Sequence, residues 1–371
     1  MKNPAVVIVA YNRPGSLARL LNSLSQADYE NSMVPLVISL DGGAAEEVIE
    51  LAETFEWAHG EKRLIRYKRN LGLREHVLMC GRLTGEFDAV IILEDDLVVG
   101  PQYYSYSLAS LNHCETASKV AGISLFGYQT KEFKHLPFIP LEDGFDNYYL
   151  QVPSSWGQIW VKDWWTEFEN WLQVEEHDAV RLPTPVSKWG DQSWKKSYMQ
   201  YLVENDLYFF YPRVSHTTNF GDAGVNNKGG FARYQVPLQM GSKLYGFSFI
   251  EESTAVYDVY FEWTGLKEEK YQSLEFDLYG EKQSFLENTQ FVLTTRGVRK
   301  TIESFGVTML PLEANYIHKL EGKGINLARK EDVDMKKRPM NPAVHERLVG
   351  KYSKQRYWIH YWRTLKEAWG L

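Results

Sequence analysis

Hydrophobic residues in roughly the first 125 positions fall into short solid runs that alternate with stretches carrying one apolar stripe, the pattern of a βαβ sheet. Ala5–Ala10 is a continuous apolar run suited to a buried parallel strand. Pro14-Gly15-Ser16 then starts a helix in which Leu17, Leu20, Leu21 and Leu24 recur at i, i+3, i+4 and i+7. Leu36–Leu40 reads as a second strand, closed by Asp41-Gly42-Gly43, and Val48, Leu51, Ala52 and Phe55 form a second helical stripe. Residues 64–67 read as a third strand, 73–83 as a third helix, 89–93 as a fourth buried strand and 120–126 as a fifth.

The pattern changes after residue 148. Residues 161–172 carry Trp164, Trp165, Phe168, Trp171 and Leu172 at helical spacing between loops rich in Gly, Pro and Ser. Beyond residue 230, alternating segments at 274–279, 291–295 and 320–327 suggest a small, mostly β appendage. The expected organisation is therefore a main α/β domain over 1–230, with halves at about 1–125 and 126–230, an appendage over 231–340 and a helical tail over 341–371. In the tail, Trp358, Tyr361, Trp362, Leu365 and Trp369 share one helical face, with Arg356, His360 and Arg363 roughly opposite. Such a helix either docks on its own domain or lies in a membrane interface.

Composition narrows the functional classes. Of the 371 residues, 44% are hydrophobic and 24% charged, ordinary for a globular chain. A formal net charge of −7 argues against a nucleic-acid binder, which carries a basic footprint. The 12 Trp and 23 Tyr are many, and flat aromatic faces stack on sugars, although most such residues in any protein are core. Only Cys80 and Cys114 are present, so no disulfide framework is expected. The opening apolar run is too short to span a membrane and no small-residue cleavage site follows it; no other run reaches about 18 residues. A cytoplasmic protein is expected, with peripheral contact at the inner face of the cell membrane if the tail binds lipid.

Chemistry concentrates where the first strands end. In an open parallel sheet, ligands bind beyond the carboxyl ends of the strands, where the strand order reverses. Asn12-Arg13 follows the first strand, Asp41 the second and Glu94-Asp95-Asp96 the fourth. Carboxylates crowded beyond an apolar strand are costly unless a positive group sits among them. A divalent cation on a diphosphate fits, and oxygen ligands select Mn²⁺ or Mg²⁺. Bland alternatives stand beside each assignment: Arg13 pairing with the triplet, Asp41 as a turn former, and His76 as a satisfied helix histidine.

Residues 6–24, VVIVAYNRPGSLARLLNSL, resemble the opening of family-2-like GT-A glycosyltransferases. Residues 93–107, LEDDLVVGPQYYSYS, resemble the metal-site segment of the N-acetylglucosaminyltransferase I family, in which an acidic-Asp-Asp triplet precedes a Pro and aromatic residues that open a helix. Arg74-Glu75-His76 is similar to that family's Arg/His-bearing helix. The resemblance implies a GT-A fold and an inverting, metal-dependent transfer of a hexosyl or N-acetylhexosaminyl group. The implied donor is a nucleotide-sugar, a UDP-sugar in the first instance, and the implied acceptor a glycan or lipid-linked glycan in bacterial surface polysaccharide synthesis.

By position, the resemblance makes Asp96 the metal ligand, with Asp95 and Glu94 on the sugar and ribose side. Arg13 and Asp41 would hold base and ribose, and His76 would contact the nucleotide. Trp156, in Ser154-Ser155-Trp156-Gly157, and Trp189 would face the acceptor. Trp189-Gly190-Asp191 resembles the segment that supplies the general base, which would be Asp191, although Gly190 departs from the pattern and allows a one-residue slip. Glu142 and Asp143 are reserve bases, and Asp163 has a simpler explanation at a helix N-terminus. His216, in a loop similar to the one that closes over donor phosphates, either meets metal or diphosphate or only stabilises its loop. A sugar nucleotidyltransferase and a non-catalytic carbohydrate-binding protein of the same fold are the competing classes; the Tyr11–Gly15 segment is a poor version of the former's Gly-rich basic loop.

Overall fold

The computed structural model describes residues 4–222, 234–265, 273–336, 344, 345 and 348. The elements run β1 (Ala5–Ala10), α1 (Pro14–Ser25), β2 (Leu36–Leu40), α2 (Glu46–Thr54), β3 (Lys62–Arg66), α3 (Gly72–Gly81), α4 (Thr84–Phe87), β4 (Ala89–Glu94), β5 (Leu97–Val99), α5 (Tyr103–Cys114) and β6 (Val120–Ser124). They continue with β7 (Asn147–Leu150), β8 (Gln158–Val161), α6 (Lys162–Leu172), α7 (Thr184–Ser187), α8 (Trp194–Glu204), β9 (Tyr208–Pro212), β10 (Thr217–Asn219) and β11 (Val256–Tyr257). Last come β12 (Leu274–Asp277), β13 (Phe291–Thr294), β14 (Glu303–Phe305), α9 (Glu313–Ile317) and β15 (Ile325–Arg329).

The chain forms two compact units. One comprises Met1–Gln129 and Glu142–Val259; the other holds Thr130–Leu141 and the chain from Tyr260. The first unit thus runs past the boundary expected at residue 230, because β11 pairs in parallel with β7 inside its sheet. The helix expected over 351–371 lies outside the described residues. No helix among the described residues is long and apolar enough to cross a membrane.

The first unit is a mixed α/β fold around a nine-stranded sheet ordered β11-β7-β9-β6-β8-β4-β1-β2-β3. Its half from β3 to β4 is parallel. The chain runs outward from β1 through β2 to β3, then returns to place β4 on the other side of β1. The order therefore reverses between β1 and β4, and a crevice must open beyond their carboxyl ends. Register puts Val9 opposite Glu94 and Ala10 opposite Leu40, which aligns the exits of all three strands. β1 and β2 are buried along their whole length, as are the first five residues of β4, so each reads as a solid apolar run. α1 begins where Pro14 takes its first helical position and buries Leu17, Leu20, Leu21 and Leu24.

The five expected strands are part of a larger sheet. β8 enters antiparallel between β4 and β6, and β9, β7 and β11 extend the far edge. The strand expected at 64–67 begins two residues earlier, and the helix expected over 73–83 ends at Gly81, with the short α4 beyond it. Much of the aromatic excess lies in this half's core: Trp160, Trp165, Tyr148, Tyr149, Tyr198 and Tyr211 are all fully buried. Trp160 stacks on Tyr198 at 5.6 Å and Tyr148 on Tyr211 at 5.2 Å.

The second unit holds a four-stranded sheet ordered β12-β13-β15-β14. Its interior carries ion pairs, Lys282 with Glu275 at 2.9 Å and Arg296 with Asp277 at 2.5 Å. Glu262 is also buried there and accepts from the backbone N–H groups of Leu278 and Tyr279. Pairing each buried charge avoids the penalty of leaving one alone.

One close approach fixes the wall of the crevice. A Cβ at Gly42 would lie 2.0 Å from the carbonyl carbon of Arg69, a backbone atom that cannot swing aside. Gly42→Ala should therefore push the β3–α3 turn off the end of β2 and cost about 1–3 kcal/mol, the scale of an overpacked interior. A urea midpoint equal to that of the parent protein would show that the turn tolerates displacement.

Candidate active site

A cavity of about 260 Å³ opens beyond the carboxyl ends of β1, β2 and β4. Six of the residues singled out from sequence line it: Arg13, Asp41, His76, Glu94, Asp95 and Asp96, together with Tyr11, Asn12, Asn70, Gly72 and Leu73. These residues come from three strand exits and the first turns of α3.

The acidic triplet is set by backbone. Asp95 N–H donates to the Val9 carbonyl at 3.1 Å, and the Asp96 carbonyl accepts from Phe220 N–H at 3.1 Å. β5 continues from the triplet and pairs antiparallel with β10, Leu97 opposite Asn219, so the segment after β10 is laid beside Asp96. Burial pushes the Glu94 carboxyl up to about 8, with Asp96 and Asp95 adding to the effect. Burial likewise pushes Asp95 up to about 6 against the opposing pull of Arg13.

Arg13 stands at the exit of β1, immediately ahead of Pro14. Its guanidinium donates to Asp96 Oδ2 at 2.9 Å and to Asp95 Oδ1. This is the pairing with the triplet that stood as the alternative to a contact with base and ribose; a guanidinium fork within reach of two buried carboxylates forms charge-assisted hydrogen bonds with both. Asp96 is 9% exposed, and its Oδ1 is buried with no hydrogen-bond partner. Asp96 lines the cavity and carries an orphaned carboxylate oxygen, the kind of atom a hard cation would use, so Asp96, with Asp95 beside it, fits a Mn²⁺ or Mg²⁺ ligand.

Asp41 has a second occupation. Its Oδ1 accepts from Gly42 N–H and Leu71 N–H, both at 2.7 Å, and its Oδ2 from Gly72 N–H at 3.0 Å. A carboxylate at the start of α3 satisfies orphan donors and complements the helix dipole. The turn-forming role is therefore real, and Asp41 also faces the cavity. His76 is buried on α3, shares a 2.8 Å hydrogen bond between Nε2 and Ser39 Oγ, and meets Tyr67 edge-on at 5.5 Å. Burial lowers its pKa, so the ring is held neutral.

The acceptor-side assignments lie outside the cavity lining. Trp156 is half-buried and stacks on Tyr234 at 4.3 Å, with Phe126 at 4.9 Å. Asp191 is exposed and Trp189 half-buried on the turn before α8, whose first turn is capped by Ser193 Oγ accepting from Lys196 N–H. α8 is tied to the cavity wall by Arg74 of α3, which donates to the Ser193 carbonyl at 3.2 Å and to Ser197 Oγ at 2.8 Å. Of the reserve bases, Asp143 is spent on structure: it accepts from Ser253 Oγ, Thr254 N–H and Arg213, and these contacts hold its carboxyl below the usual range despite burial. Glu142 is exposed and lies 3.3 Å from Arg213. Asp163 is exposed in the first turn of α6.

One residue escaped the sequence reading. Lys195 is buried in the first turn of α8, its Nζ 5.3 Å from the centre of the Trp156 ring, and its charge acts on Glu94. Its signal was present only as a lysine beside Trp194, and a lysine in a helical stretch reads as solvent-facing.

His216 is placed behind the crevice. Its ring is 1% exposed, stacked on Tyr106 at 4.2 Å and edge-on to Tyr245 at 5.9 Å. It does not line the cavity. Its carbonyl accepts from Gly100 N–H at 2.7 Å and its N–H donates to the Leu125 carbonyl at 2.7 Å. The loop-stabilising alternative therefore describes its surroundings.

No family model matches the chain. An Arabidopsis thaliana protein, alpha-1,3-mannosyl-glycoprotein 2-beta-N-acetylglucosaminyltransferase, is 24% identical over 161 residues, covering 42% of this chain and 30% of that protein. This chain therefore matches under a third of that relative's length. Among solved structures, Staphylococcus aureus TarS residues 1–349 is similar at 13% identity and a TM-score of 0.38, covering 57% of this chain and 60% of that one. GalNAc-T7 with UDP, GalNAc and Mn²⁺ is similar at 13% identity and 0.40, covering 57% and 43%. The mannosyltransferase PcManGT from Pyrobaculum calidifontis, with GDP-Man and Mn²⁺, gives 14% and 0.33, covering 47% of each. All three scores lie below one half, so the fold class rests on this chain's own sheet order: an α/β protein with an acidic crevice at its switch point.

Burial of His216 has a measurable consequence. Desolvation, with Lys243 nearby, lowers its pKa to about 3, against about 6.5 in the unfolded chain. Between these values the unfolded state binds the extra proton, so the contribution of neutral His216 is complete above pH 6.5 and is lost as pH falls towards 3. His216→Phe keeps a ring on Tyr106 without a titrating group. Melting temperature should fall less steeply from pH 6.5 to 4.5 in that variant, and parallel curves would show that His216 is not the group involved.

Proposed function

We propose that this protein is a metal-dependent, inverting glycosyltransferase of the GT-A type. It would move a sugar from a nucleotide-sugar, a UDP-sugar in the first instance, to a glycan or lipid-linked glycan acceptor in bacterial surface polysaccharide synthesis. The observation that carries the reading is Asp96: a carboxylate with an unpartnered buried oxygen in a cavity at the switch point, surrounded by five other residues of the expected donor site. The Arabidopsis relative's name and the sequence resemblance of residues 93–107 support the same reading.

Asp96, with Asp95 beside it, would hold Mn²⁺ or Mg²⁺, which supplies Lewis-acid neutralisation of a diphosphate leaving group. Asp41 and His76 would bound the base and ribose, and Glu94 the sugar. The acceptor hydroxyl would attack the anomeric carbon from the face opposite the diphosphate, forming the new C–O bond as the sugar–phosphate C–O bond breaks. Asp191 would take the hydroxyl proton as general base. Two observations favour it: Arg74 joins its turn to the cavity wall, and Asp143 is committed to structural hydrogen bonds. Trp156 and Trp189 would form the acceptor platform, and residues 351–371 a peripheral membrane contact on the cytoplasmic side.

Two variants test this. Asp96→Ala should abolish binding of uridine diphosphate in the presence of Mn²⁺, measured by calorimetric titration with the fold checked by circular dichroism; unchanged affinity would refute the metal-site assignment. Asp191→Asn should lower turnover about 10²–10⁴-fold, the usual contribution of a general base, while leaving nucleotide affinity near that of the parent. Asp163→Asn serves as the control. Turnover of Asp191→Asn within a few-fold of the parent would place the base elsewhere.

A further inference from the structure

Arg13 occupies the place in which a cation would act. Its guanidinium spans Asp95 and Asp96 and takes one oxygen of each, leaving Asp96 Oδ1 buried and unpartnered. A second positive centre within a few ångströms of this fork would be repelled strongly in a half-buried site. The Arg13 backbone is fixed, because its carbonyl accepts the first hydrogen bond of α1 from Leu17 N–H at 3.0 Å. Its side chain is not locked in the same way: it is 21% exposed and lines the cavity. It can therefore leave the carboxylates without disturbing the core beneath them.

Building on the metal-dependent reading above, we propose that Arg13 is a resident counter-cation that Mn²⁺ displaces and that the nucleotide diphosphate then accepts. A guanidinium fork matches phosphate oxygens as well as it matches carboxylates. With the cavity empty, Arg13 neutralises the acidic pair and competes with free metal. With metal and nucleotide present, the carboxylates pass to the metal and Arg13 passes to the phosphates, so no charge is left unpaired. Metal and nucleotide must then bind with positive coupling, each raising the affinity for the other by the same factor. Arg13 is in this scheme a substrate-binding residue that moves from the Asp95–Asp96 pair to the phosphates.

The test is calorimetric titration of Mn²⁺ into the full chain, with and without saturating uridine diphosphate. It uses the parent protein, Arg13→Ala, Arg13→Lys and Asp96→Ala. Arg13→Ala should bind Mn²⁺ alone about tenfold more tightly, the fold-change equivalent of one charge-assisted pair, and should gain less from added nucleotide. Arg13→Lys keeps the charge and should stay near the parent, separating lost competition from altered packing. The melting temperature of Arg13→Ala should fall in chelator and recover on Mn²⁺ addition, which identifies the uncompensated carboxylates. Should Arg13→Ala not fold, Arg13→Gln carries the same comparison. Equal or weaker Mn²⁺ affinity in the neutral variants overturns the counter-cation role alone. Failure of the parent to bind Mn²⁺ even with nucleotide overturns the metal-dependent reading as well.

Discussion

Charge compensation at the end of β4 organises the first unit. Five consecutive buried residues, Ala89 to Leu93, deliver three carboxylates to a place where water is scarce. Burial first, and the neighbouring carboxylates with it, push Glu94 and Asp95 well above the usual carboxylate range. The fold answers with Arg13, and Arg13 is available because β1 is the neighbour of β4. Val9 pairs with Glu94, the chain turns out of β1 two residues later, and Pro14 commits it to α1 with Arg13 at the helix entrance. A different strand order would leave Asp95 and Asp96 without the guanidinium that spans them. The reversal of strand order and the ion pair are in that sense one constraint.

Carboxylates elsewhere in this unit separate architecture from chemistry by how many hydrogen bonds they receive. Asp41 accepts from three backbone N–H groups and pins α3 against β2; Asp143 ties Arg213 to the turn at Ser253 and Thr254. Both are saturated in ways a folded chain alone requires. Asp96 is different, with one oxygen satisfied and one not. A buried acceptor left open is uncommon in a folded chain, and Asp96 carries one while lining the cavity. Hydrogen-bond accounting thus separates Asp96, which keeps an open acceptor, from Asp41, which the fold saturates although it also lines the cavity.

The parallel half was legible because two-sided burial makes each strand a solid apolar run, and turn residues punctuate it: Pro14 for α1, and Asp41-Gly42 at the exit of β2. The antiparallel half was not. β7, β8 and β9 are four or five residues long and dense in Tyr, Phe and Trp, a composition that carries no period by which to tell strand from helix or loop. His216 shows the cost at the level of one side chain. It precedes β10 directly, in extended chain where neighbours point to opposite faces, and sequence does not say which face meets the cavity. Its ring went to the Tyr106 side instead. Arg13 was legible as two alternatives, because pairing with the triplet and holding a nucleotide need the same residue at the same place; the coordinates show the pairing with Asp95 and Asp96.

Lys195 completes the electrostatics from the other direction. It acts on Glu94 from α8, with its Nζ beside Trp156, while Arg13 holds Asp95 and Asp96 from the turn between β1 and α1. The triplet is therefore approached by cations from the entrance of α1 and from α8, and a bare metal ion entering would shift this charge balance by adding positive charge beside both. A metal ion paired with a diphosphate brings charges of opposite sign together and leaves that balance nearly unchanged. Burying a matched pair costs far less than burying either ion alone. The arrangement should thus discriminate between free metal and metal–nucleotide on charge alone, before any contact with base or sugar. Contacts from Asp41 and His76, which line the same cavity, would then be left to act on whatever the nucleotide carries.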